Sequence, residues 1–178
     1  MPLNSDEIVD CMNKNEIRIE PFNHNNLNLV SYDLTLHHEY LQDDGNGGWI
    51  VVHAGQDGII SIPPLTCVQL ITREFAGTQC SHITSSIVSK STLSRRGILI
   101  SKAGFGDPGF HNRWSVLAFN AMKTPLTVKA GSRFCQIYFD YVTRCENVYA
   151  SKGHYQTNVK PDETNWKIHD ILPVNKNV

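Results

Sequence analysis

Apolar and polar positions alternate in short bursts along most of this chain, and one stretch near the start carries a helical period. That stretch opens on Asn4-Ser5-Asp6 and continues through Ile8, Val9, Cys11 and Met12, which predicts a capped amphipathic helix of about ten residues. Strand-like pieces then follow at 17–19, 32–36, 49–53, 58–62, 66–72, 85–88, 98–101, 115–119, 126–128 and 134–141. Between them sit turn-forming clusters: Asp43-Asp44-Gly45-Asn46-Gly47-Gly48, Pro63-Pro64, the glycines from Gly104 to Gly109, and Ala130-Gly131. Many short strands with regular turn signals predict a mainly β fold, a compact barrel or sandwich with a short N-terminal helix. No internal repeat or linker interrupts residues 1–150, which read as one domain. From Ser151 onward the chain is polar, with Gly153, Asn158, Lys160, Asp162, Glu163 and Asn165. Residues 151–178 are too polar for a core and read as a disordered tail or as a lid that orders on a ligand. Trp166 and Ile168 keep open a third option, a tail packed on a neighbouring subunit.

Composition narrows this picture. The chain has 178 residues, 40% of them hydrophobic and 19% charged, with a net charge of −1; one globular domain is the expectation. That balance gives no general attraction to nucleic acid or to an anionic membrane. No apolar run approaches the ~18–20 residues of a membrane-spanning helix, and the first residues lack the basic and apolar regions of a secretory signal. Five cysteines, odd in number and widely spaced, predict free thiols in a reducing cytoplasm and oppose a disulfide framework or a cysteine zinc site.

Three segments hold more chemistry than a generic β domain needs. Ser89-Lys90-Ser91-Thr92-Leu93-Ser94-Arg95-Arg96-Gly97 packs hydroxyls and cations after a strand, the donors that a polyphosphate requires; a solvated, capped turn is the plainer reading. Ala103-Gly104-Phe105-Gly106-Asp107-Pro108-Gly109-Phe110 forces a tight turn around one carboxylate and two aromatics. Its Asp is placed to bind a sugar hydroxyl or activate a water, or is only a turn residue. Gly131-Ser132-Arg133-Phe134-Cys135-Gln136-Ile137 points one amide out of an apolar strand at a site or a neighbour; a satisfied structural Gln is the plainer reading. Adjacent His37 and His38 in a regular strand point to opposite faces and are not expected to share an ion. Trp49 and Trp114 read as core or subunit contact, and Lys123, Lys129 and Arg133 as solvated surface.

Together with Ile17-Arg18-Ile19-Glu20-Pro21-Phe22, Ser31-Tyr32-Asp33-Leu34-Thr35-Leu36, the positions Asn120, Pro125, Gly131 and Gln136, and the tail Tyr155-Gln156-Thr157-Asn158, these motifs resemble, in order, those of the dCTP deaminase and trimeric dUTPase superfamily. The likeness is nearest to the deaminase branch and covers about residues 3–158. Thr35 stands where the deaminases usually have Arg. The resemblance implies a distorted β-barrel of the dUTPase-like, β-clip kind, a homotrimer, and sites between subunits that bind dUTP or dCTP.

One departure decides between activities. The deaminases carry T-L-E in the strand after the Asp-Pro-Gly turn, and its Glu is the general base that activates water against cytosine. Counting from Asp107, that place holds Leu117, and there is no Asp or Glu between Asp107 and Asp140. The dUTPases have an apolar residue there, and Ser115-Val116-Leu117-Ala118-Phe119-Asn120 looks more like their V-V-L-F-N. The resemblance therefore implies a dUTP diphosphatase, with dCTP deaminase and a turnover-free nucleotide binder as the alternatives. By the same resemblance Asp107 orients or deprotonates water and contacts the 3′-OH. Phe110 lies under the sugar. Ser91, Thr92, Arg95 and Gln136 take the phosphates. Asp33 holds waters of a Mg²⁺ carried by the triphosphate, and Tyr155 and Gln156 close the site.

Overall fold

The structure is a computed structural model and describes residues 1–101 and 104–151. Helix α1 spans Ser5–Asn13, and its start is a capping box. The Asn4 side chain accepts from the N–H groups of Asp6 and Glu7, and Glu7 Oε2 accepts from Asn4 N–H at 2.9 Å. Ile8 and Cys11, three apart, bury one face. β1 (Ile17–Glu20) leads through a short 3-10 turn to the long β2 (Tyr32–Asp43), then β3 (Trp49–His53) and β4 (Ile59–Ile62). β5 (Cys67–Thr72), β6 (Phe75–Thr78) and β7 (Ile83–Ser89) follow, and then the single-turn helix α2 (Ser91–Arg95). The described strands end with β8 (Ile98–Ile100), β9 (Phe105–Gly106), β10 (His111–Asn112), β11 (Ser115–Asn120), β12 (Leu126–Lys129) and β13 (Arg133–Tyr141).

Eight strands form one curled half-barrel sheet in the order β8-β11-β5-β2-β13-β7-β9, with β3 bonded to the outer half of β2. A three-stranded sheet β1-β6-β10 and the ribbon β12-β4 accompany it. The fold is thus mainly β with a short N-terminal helix, as the strand and turn spacing predicts. Period-two alternation sorts the two faces: on β11, Val116, Ala118 and Asn120 are buried while Ser115, Leu117 and Phe119 face the other way. Leu34, Leu70, Val116, Ile137 and Phe139 pack with Ile8, Ile17 and Ile62 in one core.

Three departures have physical reasons. β2 does not end at Leu36 but continues to Asp43. Its register on β5 runs Leu36↔Thr72 and then Tyr40↔Leu70, so β2 spends two extra residues there. His37-His38-Glu39 interrupts the alternation without ending the strand. In this irregularity Glu39 N–H bonds His37 Nδ1 at 3.1 Å, and the His37 and His38 ring centroids lie 4.1 Å apart. The expectation that the two rings diverge fails because the strand is bulged. β6 escapes the pattern because it is built around Gly77, where a Cβ would lie 1.9 Å from the Phe110 carbonyl oxygen. The missing side chain lets β10 pair at this point, His111 opposite Gly77. The segment after β7 is not only a turn: α2 forms one helical turn, with Leu93 buried and Gly97 closing it at φ +87°. Pairing of residues 151–178 with a ligand or subunit falls almost wholly outside the described residues.

Two buried histidines make this fold sensitive to acid. Burial, and next the Arg113 guanidinium, pushes His37 down to about 3; burial, and next Arg18, pushes His111 down to about 4. Both are neutral in the fold, while in the unfolded chain they take up protons near pH 6.5. Their contribution is therefore complete above about pH 6.5 and drains away as the pH falls towards 4, because the unfolded state then binds more protons. Glu74, whose carboxyl is raised by burial, opposes this at the acid end. Urea midpoints should fall between pH 7 and pH 4.5, and His111→Gln should flatten the slope. A midpoint that stays level or rises over that range contradicts the assignment.

Candidate functional site

Asp33 on β2 lies directly opposite Gln136 on β13, and Gln136 lies opposite Val88 on β7. Three neighbouring strands therefore bring together residues that are about 100 positions apart. Lys90, just past the end of β7, donates from Nζ to both Asp33 oxygens, at 2.8 and 2.7 Å. Gln136 Nε2 donates to Asp33 Oδ1 at 3.0 Å and to Ser31 Oγ at 3.3 Å, and an Arg133 nitrogen lies 3.4 Å from Oδ2. Gln136 and Ser31 also line an open groove with Asn28 and Leu29. Asp33 is 1% exposed, a buried charge that is tolerable only because cations and an amide surround it.

Lys90 and Arg133 are the residues that the sequence reading missed at this cluster. Lys90 stands among phosphate-binding candidates, and Arg133 reads as surface. Lys90 stands at the N-cap position of α2 yet makes no side-chain cap bond; its ammonium is committed to Asp33. Lys90→Met should cost about 2–3 kcal/mol of stability. That is below the ~3–5 kcal/mol of breaking a fully buried pair, because Lys90 is 25% exposed and Arg133 and Gln136 stay with Asp33. Equal urea midpoints for variant and wild type would show that the pair is energetically idle.

Behind this cluster lies a second buried carboxylate. Glu74 accepts from Thr35 N–H at 2.8 Å and from Thr35 Oγ1 at 2.7 Å, and burial raises its pKa. Thr35, in place of the Arg usual among the deaminases, is thus used inside the chain.

The Asp107 segment is a tight turn. Phe110 N–H donates to the Asp107 carbonyl at 2.9 Å, with Pro108 and Gly109 (φ +89°) between. Pro before a left-handed Gly is the signature of a type II turn. Gly109 N–H donates to Thr78 Oγ1 at 2.9 Å and Tyr149 N–H to the Pro108 carbonyl at 2.7 Å, so the turn is fixed from both sides. The Asp107 side chain is left exposed at its start. Phe110 is half-buried, with Trp114 and Tyr149 set edge-on to its ring at 4.7 and 5.2 Å. Trp114 itself is core, its Nε1 donating to the Ala76 carbonyl.

Ser91, Thr92 and Arg95 are exposed on α2. Leu117 is 36% exposed on β11, opposite Gln69 of β5. Among the described residues, the Ser115 hydroxyl and the Gln69 amide lie at this face and are bonded to each other at 2.5 Å, and Ser101 N–H donates to the Leu117 carbonyl at 2.9 Å; none of these groups is a base at neutral pH.

Among the described residues, the predicted site residues do not converge within one chain. β9 pairs with β7 at Ser85 and Ser86, placing Asp107 beyond the start of that pairing, whereas α2 follows the other end of β7. Some six residues of strand at about 3.3 Å each set the two roughly 20 Å apart along β7. Asp33 and Gln136 meet; Asp107 and Phe110 meet; Ser91, Thr92 and Arg95 form a third group. Tyr155 and Gln156 lie outside the described residues. Both Asp33 oxygens accept from Lys90, a donor set that does not fit a Mg²⁺ ion bound directly at Asp33. The five cysteines are free, and among the described residues no helix is long and apolar enough to cross a membrane.

The sequence pattern of the dCTP deaminase-like family matches residues 2–142. A "dCTP deaminase, dUMP-forming" of Aquifex aeolicus is 29% identical over 170 residues, covering 90% of this chain and 93% of that protein. The protein of the same description from Clostridium beijerinckii is 31% identical over 166 residues, covering 89% and 92%. Among solved structures, the 2′-deoxycytidine 5′-triphosphate deaminase of Agrobacterium tumefaciens superposes with a TM-score of 0.62 at 16% identity. That match covers 78% of this chain and 47% of the other, and it is a likeness of fold.

Proposed function

This chain belongs to the dCTP deaminase-like family, and from that premise we propose that it binds a deoxyribonucleoside triphosphate and hydrolyses dUTP to dUMP and diphosphate without deaminating dCTP. The observation that carries this reading is Leu117 on β11. A dUMP-forming dCTP deaminase, by the two ends of its name, must exchange an amine for an oxygen and also release diphosphate. These are separable chemistries. The first needs a base beside the pyrimidine, and Leu117 with Ser115 and Gln69 offers none. The second needs a positioned water and a charge-stabilised triphosphate, and Asp107 and Arg95 remain for it.

In this reading Asp107 takes the proton of a water as its oxygen attacks the α-phosphorus. The bond to the β-phosphate bridge breaks and diphosphate leaves. Ser91, Thr92, Arg95 and Gln136 hold the phosphates, Phe110 supports the sugar, and Tyr155 and Gln156 close over the nucleotide. Mg²⁺ arrives on the phosphates. The roughly 20 Å between Asp107 and α2 supports a site shared between copies, one copy's turn meeting another's α2, in a homotrimer. Free cysteines suit a cytoplasmic setting. Incubation with dUTP and Mg²⁺ should yield dUMP and diphosphate in equal amounts, resolved by ion-pairing chromatography. Arg95→Ala should weaken triphosphate binding by about 1.5–3 kcal/mol while leaving nucleoside binding little changed. An equal loss for both would place Arg95 in the fold or the contact between copies.

A second reading, a binder without turnover, is favoured by the closed state of Asp33, whose charge is spent on Lys90. Saturable dUTP binding with no product after long incubation would establish it.

A further inference from the structure

We propose that the hairpin of β2 and β3 carries a site for a divalent transition-metal ion, held by His38, Glu39 and His53. One donor atom from each lies within 4.8 Å of the others. A regular strand would send His38 and Glu39 to opposite faces, but the two extra residues of β2 between Leu36 and Tyr40 lift that constraint. Across the hairpin, Glu39 pairs with His53, and Ala54 N–H donates to the His38 carbonyl at 2.7 Å. His53 Nδ1 stands 3.6 Å from Glu39 Oε1, and the His38 and His53 rings are stacked 6.1 Å apart. His38 and His53 are exposed and Glu39 is half-buried, so an ion can enter and keep water in its remaining positions.

The donor set decides the ion. Two imidazoles and one carboxylate suit zinc, cobalt, nickel, copper or iron, and do not suit Mg²⁺ or Ca²⁺, which prefer all-oxygen shells. Around zinc, ligand atoms at ~2.0–2.1 Å from the ion stand about 3.3 Å apart, so the donors must close by at most about an ångström and a half, which exposed imidazoles do by rotation. His37 lies beneath as a positioning residue: its Nδ1 receives Glu39 N–H, and its Nε2 faces Arg113 at 2.8 Å. Arg113, and Arg73 near the same ring, oppose a cation and set the cost the ligands must exceed. The ion would tie β3, which among the described strands pairs only with β2, to the long strand.

The test is calorimetric titration of the untagged, reduced, full-length protein with Zn²⁺ after chelator treatment. One equivalent should bind per chain, and His53→Ala or Glu39→Gln should weaken it by ~10-fold or more. Cys145→Ser, which removes the exposed thiol, should leave binding unchanged. Histidine-ring NMR of the wild-type protein gives a reading that needs no variant: Zn²⁺ should shift the His38 and His53 signals. Absence of binding, binding unaltered in a folded His38→Ala/His53→Ala protein, or shifts confined to other histidines overturns the proposal.

Discussion

Given dCTP, the protein should release no ammonia above the buffer blank. By the resemblance to the deaminases, Leu117 stands at the strand position of their general base, and its neighbours Ser115 and Gln69 are bonded to each other. A missing general base costs about 10²–10⁴ in rate, and more where it is the sole activator of the water. Ammonia release in proportion to protein, retained through further purification, would mean a base supplied from another copy or from outside the described residues. The proposed division of chemistries would then be wrong.

Asp107→Asn should abolish dUTP hydrolysis, a loss of about 10²–10⁴ if Asp107 takes the water's proton, with little effect on stability. The turn explains the second half. Its geometry is fixed by Pro108, by Gly109 at φ +89° and by the backbone bonds of Phe110, Gly109 and Tyr149, none of which uses the Asp107 carboxylate. Asn keeps the size and the turn preference but cannot accept the proton. A variant that hydrolyses dUTP at the wild-type rate would reduce Asp107 to a turn residue.

The chain's local structure is legible where neighbours in sequence are neighbours in space. Asn4, Glu7, Ile8 and Cys11 announce α1, and Asp107-Pro108-Gly109 announces its turn. The strands from 49 to 72 and from 115 to 141 follow from alternation and turn residues. What alternation cannot carry is register. The pairing of Asp33 with Gln136 joins residues 103 apart and depends on which strands become neighbours, so Lys90 looks like a phosphate ligand until β13 lies between β7 and β2. The bulge at His37-His38-Glu39 is invisible for a related reason: each residue taken singly is compatible with a straight strand, and the two extra positions show only against β5. Leu117 is the opposite case. Its identity is plain in the sequence, but its meaning comes from the resemblance to the deaminases and from neighbours on β11 and β5, Ser115 and Gln69, that do not replace a carboxylate.

The proposed activity is defined by the atom that water attacks. Reactions with dUTP and with dCTP, run separately in ¹⁸O-water with Mg²⁺ and read by mass spectrometry, locate the new oxygen. One ¹⁸O in the phosphate of dUMP formed from dUTP, none in diphosphate, and unchanged dCTP is the predicted result. Label in the C4 carbonyl of a uracil nucleotide formed from dCTP would contradict it.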